Sequence, residues 1–229
     1  MNTAIIVAAG SGLRFAFDTQ KQFVPILGKP LIIHTLERFE ACAVIDQILL
    51  VLSETGRSEF ERFYLKYQIS KLKSIVIGGP TRAESVKNGL DAVDAATANI
   101  IAIHDGARPL VSVNEITRTV QKAAETGAAC LVAQVTDTIK EIDGEFLLRT
   151  LDRSCLRRAL TPQAFRYDII KRAFDESDVN ESITDECFLV ERLGYPISCV
   201  EGSSINIKIT HKSDLAIAEA AISFVGLEY

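Results

Sequence analysis

The chain has 229 residues, 48% apolar and 24% charged, with a formal net charge of −5 at pH 7. This is an ordinary globular composition, large enough to bury a core as one domain or two small ones, and the negative balance excludes a general basic field for nucleic acid or an anionic membrane surface. An anionic ligand would have to be held by local clusters. No apolar run reaches the roughly 20 residues that span a bilayer, and Met1 leads almost directly into the first strand, so neither a membrane span nor a signal peptide is expected. Cys42, Cys130, Cys155, Cys187 and Cys199 are scattered without a Cys-x-x-Cys pair, which fits reduced thiols in a cytoplasmic protein. His34, His104 and His211 lack metal-ligand spacing, so a protein-built transition-metal site is not expected.

The first element is the apolar run Ala4–Val7, read as a strand. It empties into Ala8-Ala9-Gly10-Ser11-Gly12-Leu13-Arg14, and Lys21-Gln22-Phe23 follows. A strand that ends in a glycine-rich turn presents backbone N–H groups to a phosphate. With Arg14 and Lys21 beside the turn, the pattern predicts a nucleoside triphosphate held by backbone amides and clamped by two cations. The plainer alternative is a tight strand–helix turn with basic surface residues. A dinucleotide fingerprint is excluded because Phe15 stands where the third glycine belongs, and a Walker loop because Gly28-Lys29 is followed by Pro30.

Pro30 fits the first turn of a helix carrying Leu31, Thr35, Leu36 and Phe39. Gln47–Leu52, Ser74–Ile77, Ile100–His104 and Ala129–Val135 are near-continuous apolar runs, as buried parallel strands should be. Gly78-Gly79 follows the second of these, and Thr81–Glu84 and Ser112–Glu115 have capping-box form. His104-Asp105-Gly106-Ala107-Arg108-Pro109 places acid and base groups at the end of a strand; it reads equally as a turn into a helix with a self-satisfied Asp–Arg pair. Asp143-Gly144 between Thr138–Ile142 and Glu145–Leu151 predicts a β-hairpin projecting from the sheet. Arg153 follows it in a loop. Thr161-Pro162-Gln163 and Thr184-Asp185-Glu186 read as polar loops, with Thr184 capping a helix that Gly194 ends. Ile197–Val200 and Ile205–Ile209 are the last strands, and Lys208 falls on the face opposite Ile207 and Ile209, where a solvated lysine is the alternative. The β–α alternation predicts a three-layer α/β/α, Rossmann-like fold with a mostly parallel sheet, in one domain with an inserted β-hairpin arm at about 136–155, and ligands at the carboxyl ends of the strands.

Taken in order, these motifs, together with Arg82-Ala83-Glu84-Ser85-Val86, Asp137-Thr138-Ile139-Lys140, Asp152-Arg153 and Asn206-Ile207-Lys208-Ile209-Thr210, resemble the 2-C-methyl-D-erythritol 4-phosphate cytidylyltransferases of non-mevalonate isoprenoid synthesis. The resemblance covers nearly the whole chain. It implies transfer of CMP from CTP to methylerythritol 4-phosphate with release of pyrophosphate. Arg14, Lys21 and Lys208 would be the catalytic cations, and Mg²⁺ would be held mainly by the CTP phosphates and water, with Asp105 as a candidate helper. The nucleotide would lie against Ala8, Ala9, Gly10, Ser11, Gly12, Gly78, Gly79, Ser85 and Ala107, and the acceptor against Asp105, Arg108, Thr138, Arg153 and Thr184. The hairpin would be an exchanged arm of a homodimer, since Ile139, Ile142, Leu147, Leu148 and Leu151 cannot all be buried within it. Gln20 and Phe15 depart from the family pattern without removing a charge. Ribitol 5-phosphate cytidylyltransferases share the loop, the lysines and the aspartate, and are the alternative acceptor class; a non-catalytic nucleotide-binding protein is the alternative outside enzymes.

Overall fold

The computed structural model describes residues 1–10, 20–178 and 183–225. In chain order the strands are β1 (Thr3–Val7), β2 (Pro25–Ile26), β3 (Lys29–Pro30), β4 (Gln47–Leu52), β5 (Leu72–Ile77), β6 (Ile100–Asp105), β7 (Ala128–Gln134), β8 (Lys140–Asp143), β9 (Phe146–Thr150), β10 (Arg157–Arg166) and β11 (Ser198–Glu201). The helices are α1 (Leu31–Glu40), α2 (Glu54–Glu61), α3 (Arg82–Asp91), α4 (Val113–Thr126), α5 (Tyr167–Asp175), α6 (Glu186–Arg192) and α7 (Lys212–Val225). A seven-stranded sheet has the order β11-β7-β10-β6-β1-β4-β5, and β10 alone runs against the other strands.

Alternation along the central strands builds the three layers. Ala4 and Ile6 of β1, Ile48 and Leu50 of β4, and Ile100 and Ala102 of β6 point to one side, where α1 and α4 supply Ile33, Leu36, Ile116 and Val120. Ile5, Leu49, Val51, Ile101 and Ile103 point to the other, where α3, α5 and α6 supply Val86, Leu90, Ile170 and Leu189. The chain leaves β1 toward β4 and β5, then crosses back to β6 on the other flank of β1. The crevice beyond the ends of β1 and β6 is therefore the topological switch point, where open α/β sheets bind ligands. Val7 and Asp105, the last residues of the two strands, lie directly beside each other in register.

The capping boxes form as the spacing predicts. Thr81 Oγ1 accepts from the Glu84 N–H and Glu84 accepts from the Thr81 N–H; Ser112 and Glu115 repeat the exchange at α4. Gly194, with φ of 72°, follows α6 in the left-handed conformation. Asp185 rather than Thr184 caps that helix, its carboxylate accepting from the Phe188 N–H at 3.0 Å. Pro30 is the residue just before α1 rather than within its first turn.

Three further readings of the chain need correction. Thr161-Pro162-Gln163 is not a loop but lies inside β10, which inserts antiparallel between β6 and β7. Pro162 cannot donate to a ladder, and the register with β7 shifts between Ala159 and Gln163 to accommodate it. Ile205–Ile209 is not a strand. It is held by single contacts, among them the Ile209 N–H to Ala107 O at 2.8 Å and Asn206 Nδ2 to Thr161 O at 3.0 Å. β5 is a sheet edge rather than a strand buried on both faces; Lys73, Ser74 and Ile77 are exposed. The expected hairpin forms as β8 and β9, a separate two-stranded sheet turning at Gly144.

Candidate active site

A cavity of about 540 Å³ opens at the switch point, within the size range of small-molecule sites. Of the residues the motifs single out, Ala8, Ala9, Gly10, Lys21, Gly79, Ser85, Asp105, Ala107 and Lys208 line it. Gln22, Pro80, Thr81, Arg82 and Thr210 line it as well, and none of these was among the expected site residues. Ser11, Gly12 and Arg14 lie outside the described residues. Gly78 is not on the lining but packs against Ala9 and Ser85, which are. Arg108 contacts the site through Asp105. Thr138, Arg153 and Thr184 do not line the cavity and are exposed. The Arg153 guanidinium donates to the backbone carbonyl of Thr136 at the base of the hairpin.

The walls are formed by backbone brought unusually close. Ladder bonds continue past the strand ends: Ala8 N–H to Val51 O, Gly78 N–H to Leu52 O and Gly106 N–H to Val7 O, at 2.8, 2.9 and 2.9 Å. At Gly78 a Cβ would sit 2.5 Å from the Ala9 Cβ and 2.7 Å from Ser85 Oγ, so only glycine allows this approach. Ser85 is buried, donates to Thr81 O and accepts from the Gly79 N–H at 3.1 Å. Its hydroxyl thereby locks the Gly78-Gly79 loop to the first turn of α3.

The charged groups form one connected cluster around Asp105. Its Oδ1 accepts from Arg82 Nε at 2.9 Å, and its Oδ2 faces Lys208 Nζ at 2.9 Å and Arg108 Nε at 3.4 Å. Burial by itself pushes the Asp105 carboxyl up, but the charges of Arg82, Lys208 and Arg108 overcome this and hold it far below the usual carboxylate range. Arg82 is also gripped from behind: Nη1 and Nη2 reach the two oxygens of Glu186 at 2.5 and 3.1 Å. Burial works against the guanidinium charge, yet Glu186 and Asp105 keep it above the ordinary arginine range. Burial raises the Glu186 carboxyl, and Arg82 opposes the rise. Lys21, Arg82 and Lys208 outnumber Asp105 on the described cavity lining, so a locally cationic surface exists on a chain that is acidic as a whole.

His104 does not join this cluster as a base. It is fully buried, beside the Phe39 ring, and burial lowers its pKa to about 3. The Arg108 carbonyl can only accept, so Nε2 carries the proton at 3.2 Å, and Nδ1 accepts from the Thr161 hydroxyl at 3.0 Å. Thr161 Oγ1 also accepts from the Asp105 N–H at 3.2 Å. The neutral imidazole thus braces the strand end that presents Asp105.

Among the described residues, no three His, Cys, Asp or Glu side chains gather in a way that could hold a metal ion. Both oxygens of Asp105, the one carboxylate on the described lining, are committed to cations.

Residues 2–223 match the family described as 2-C-methyl-D-erythritol 4-phosphate cytidylyltransferase. A relative of that name from Geobacillus thermodenitrificans is 41% identical over 221 residues, covering 96% of both chains. The chain belongs to the 2-C-methyl-D-erythritol 4-phosphate cytidylyltransferase family. The Bacillus velezensis member is 42% identical over 218 residues, covering 94% of this chain and 93% of its own. Among solved structures, 4-diphosphocytidyl-2C-methyl-D-erythritol synthase from Anaerococcus prevotii superposes with a TM-score of 0.84 at 28% identity, covering 97% of this chain and 96% of that one. The cytidylyltransferase from Francisella tularensis gives 0.79 at 31% identity, covering 96% and 99%. The expected mostly parallel α/β nucleotidyltransferase fold is thereby borne out.

Proposed function

We propose that the chain transfers CMP from CTP to 2-C-methyl-D-erythritol 4-phosphate. An oxygen of the acceptor's phosphate attacks the α-phosphorus of CTP in line; the new P–O bond forms as the bond to the β-phosphate oxygen breaks and pyrophosphate leaves. The acceptor oxygen is already anionic near neutral pH, so no general base is needed, consistent with a neutral, buried His104. The barrier is electrostatic: two polyanions must meet, and charge builds on the transferring phosphoryl group. The observation that carries the reading is the Asp105-centred cluster of Arg82, Lys208 and Arg108 at the switch point.

In this scheme Lys21 and Arg14 grip the triphosphate, and Lys208 meets the α-phosphate and the incoming phosphate. Ala8, Ala9 and Ala107 leave room for the ribose. The Gly78-Gly79 backbone with Ser85 reads the base. Asp105 pre-positions cations and meets the acceptor with Arg108. Magnesium would be held mainly by the phosphates of CTP and water and would offset charge on the leaving pyrophosphate; Asp105, the one carboxylate on the described lining, is engaged by Arg82 and Lys208 and would add to that hold only by giving up an ion pair.

We further propose that the hairpin is the dimerisation arm of a single-domain enzyme and carries Thr138 and Arg153 into a partner's site. Its apolar side chains support this: Ile142, Phe146, Leu147 and Leu148 are 58–77% exposed in the single chain. No helix among the described residues is long and apolar enough to cross a membrane, and all five cysteines are free thiols, which suits work in the cytoplasm.

The test is pyrophosphate release from CTP with methylerythritol 4-phosphate, ribitol 5-phosphate and other sugar phosphates. The expected result is turnover with methylerythritol 4-phosphate at least about tenfold more efficient than with ribitol 5-phosphate, the size of one lost polar contact. Preference for ribitol 5-phosphate would transfer the chain to the other acceptor class.

A further inference from the structure

We infer that Glu186 is a positioning residue for the transfer: its buried carboxylate fixes the Arg82 guanidinium, and through it the Asp105–Lys208 pair that faces the cavity. The inference rests on the function proposed above.

Glu186 is fully buried and, among the described residues, is not on the cavity lining and is ion-paired to the site through Arg82. Its own position is fixed from the sheet. Gln163 of β10 is buried, and its Oε1 accepts from the N–H groups of Glu186 and Cys187 at 3.1 and 3.0 Å, while its Nε2 donates to Asp185 at 2.9 Å. The start of α6 is therefore pinned to the strand that neighbours β6.

Arg82 then spans two carboxylates with one planar group. Its Nη atoms form a fork on Glu186 and its Nε holds Asp105. An ammonium cannot make these three bonds in one plane, so lysine is a poor replacement. Asp105 passes the constraint on, because the oxygen not taken by Arg82 faces Lys208. The groups Glu186, Arg82, Asp105 and Lys208 thus alternate in sign from the core to the cavity. Without Glu186, the Nη atoms of Arg82 would be free to turn toward Asp105 as well or toward the bound anion, and Lys208 would lose its set position.

Stability alone does not account for this arrangement. A buried ion pair generally contributes no more than an apolar pair of the same volume. The Arg82 side chain also keeps 26% of its surface open on the cavity side, whereas Glu186 keeps none. The pair is built with its inner member hidden and its outer member presented to ligand.

The experiment compares wild type with Glu186→Gln, Glu186→Asp, Arg82→Lys and the double variant E186Q/R82K. It measures kcat and the KM for CTP by pyrophosphate release, with thermal unfolding as a check on folding. Glu186→Gln should lower kcat about 10- to 100-fold, the loss that follows misplacement of a reacting group by an ångström or less, with KM for CTP changed less than about threefold. Glu186→Asp keeps the charge and should recover part of the lost kcat. The double variant should be no slower than the slower single variant by more than about twofold, because both changes break one unit. A folded Glu186→Gln protein with kcat within twofold of wild type would overturn the inference, as would effects that multiply in the double variant or a loss confined to KM. If Glu186→Gln does not fold, Glu186→Asp decides: wild-type kcat in that variant overturns the inference, and a lowered kcat at unchanged KM supports it. A wild-type protein inactive with CTP and methylerythritol 4-phosphate would instead sink the proposed function.

Discussion

Asp105→Asn is the sharpest perturbation of the cluster, because it removes one charge and little volume. Three cations then face each other around a neutral amide. Breaking a buried ion pair costs about 3–5 kcal/mol when the partner stays buried. Here Lys208 is 41% exposed and Arg82 26%, so water compensates part of the loss, and about 2–3 kcal/mol is the reasonable expectation. For a chain of this size that is a fall in Tm of about 4–12 °C at pH 7. The pH dependence has a definite sign. The Asp105 pKa is lowered from 3.8 in the folded chain, so its contribution is complete above that value and is lost as pH falls toward the depressed folded pKa. Asparagine has nothing to lose there. In urea melts from pH 7 to pH 3, the gap between wild type and variant should stay constant down to about pH 5 and narrow by about 1 kcal/mol by pH 3. Equal stability at pH 7, or a gap that widens on acidification, would refute the reading of Asp105 as the anion that holds the cations together.

Other expectations follow from the same geometry. Lys21→Ala and Lys208→Ala should each cost about 2–4 kcal/mol in transition-state stabilisation, or roughly 10²–10³ in kcat, while leaving Tm within a few degrees, and near-wild-type turnover would remove that lysine from the mechanism. Gly78→Ala must push its Cβ against Ala9 and Ser85 and should cost about 1–3 kcal/mol of stability with a raised KM for CTP; an unchanged KM would separate this loop from the base. If the arm crosses between subunits, mixing chains inactivated by Lys21→Ala with chains inactivated by Arg153→Ala should restore part of the activity, since one site of each heterodimer is intact. Complete inactivity of the mixture, or a fully active monomer in sedimentation, would contradict the shared site.

What the sequence made legible was mostly local. The glycine run after β1, the two capping boxes and the Asp143-Gly144 turn act over a few residues; the run lies beyond the described residues after Gly10, and the others are found where expected. β10 was hidden because Thr161, Pro162 and Gln163 carry the chemistry of a loop, and only the pairing with β6 and β7 makes them a strand. Lys208 reaches the site as expected, yet its segment is held by Asn206 and Ile209 contacts rather than by a ladder. Arg82 was visible only as part of a motif beside a helix cap. Its partner Glu186 lies 104 residues away, and a carboxylate in the first turn of a helix reads naturally as a favourable charge at the helix dipole. No short-range pattern distinguishes that role from a buried counter-ion; Arg82 immediately after a cap residue at the end of a strand is the one signal that could have flagged it.

In the proposed reaction an oxygen of the acceptor's phosphate displaces pyrophosphate from the α-phosphorus of CTP. Phosphorus NMR of a reaction holding the purified chain, CTP, Mg²⁺ and 2-C-methyl-D-erythritol 4-phosphate tests it directly. The acceptor's monoester signal should be replaced by two coupled signals of a diphosphate diester, with an equal amount of pyrophosphate. Formation of CDP and inorganic phosphate, or CMP with an untouched acceptor, would contradict it.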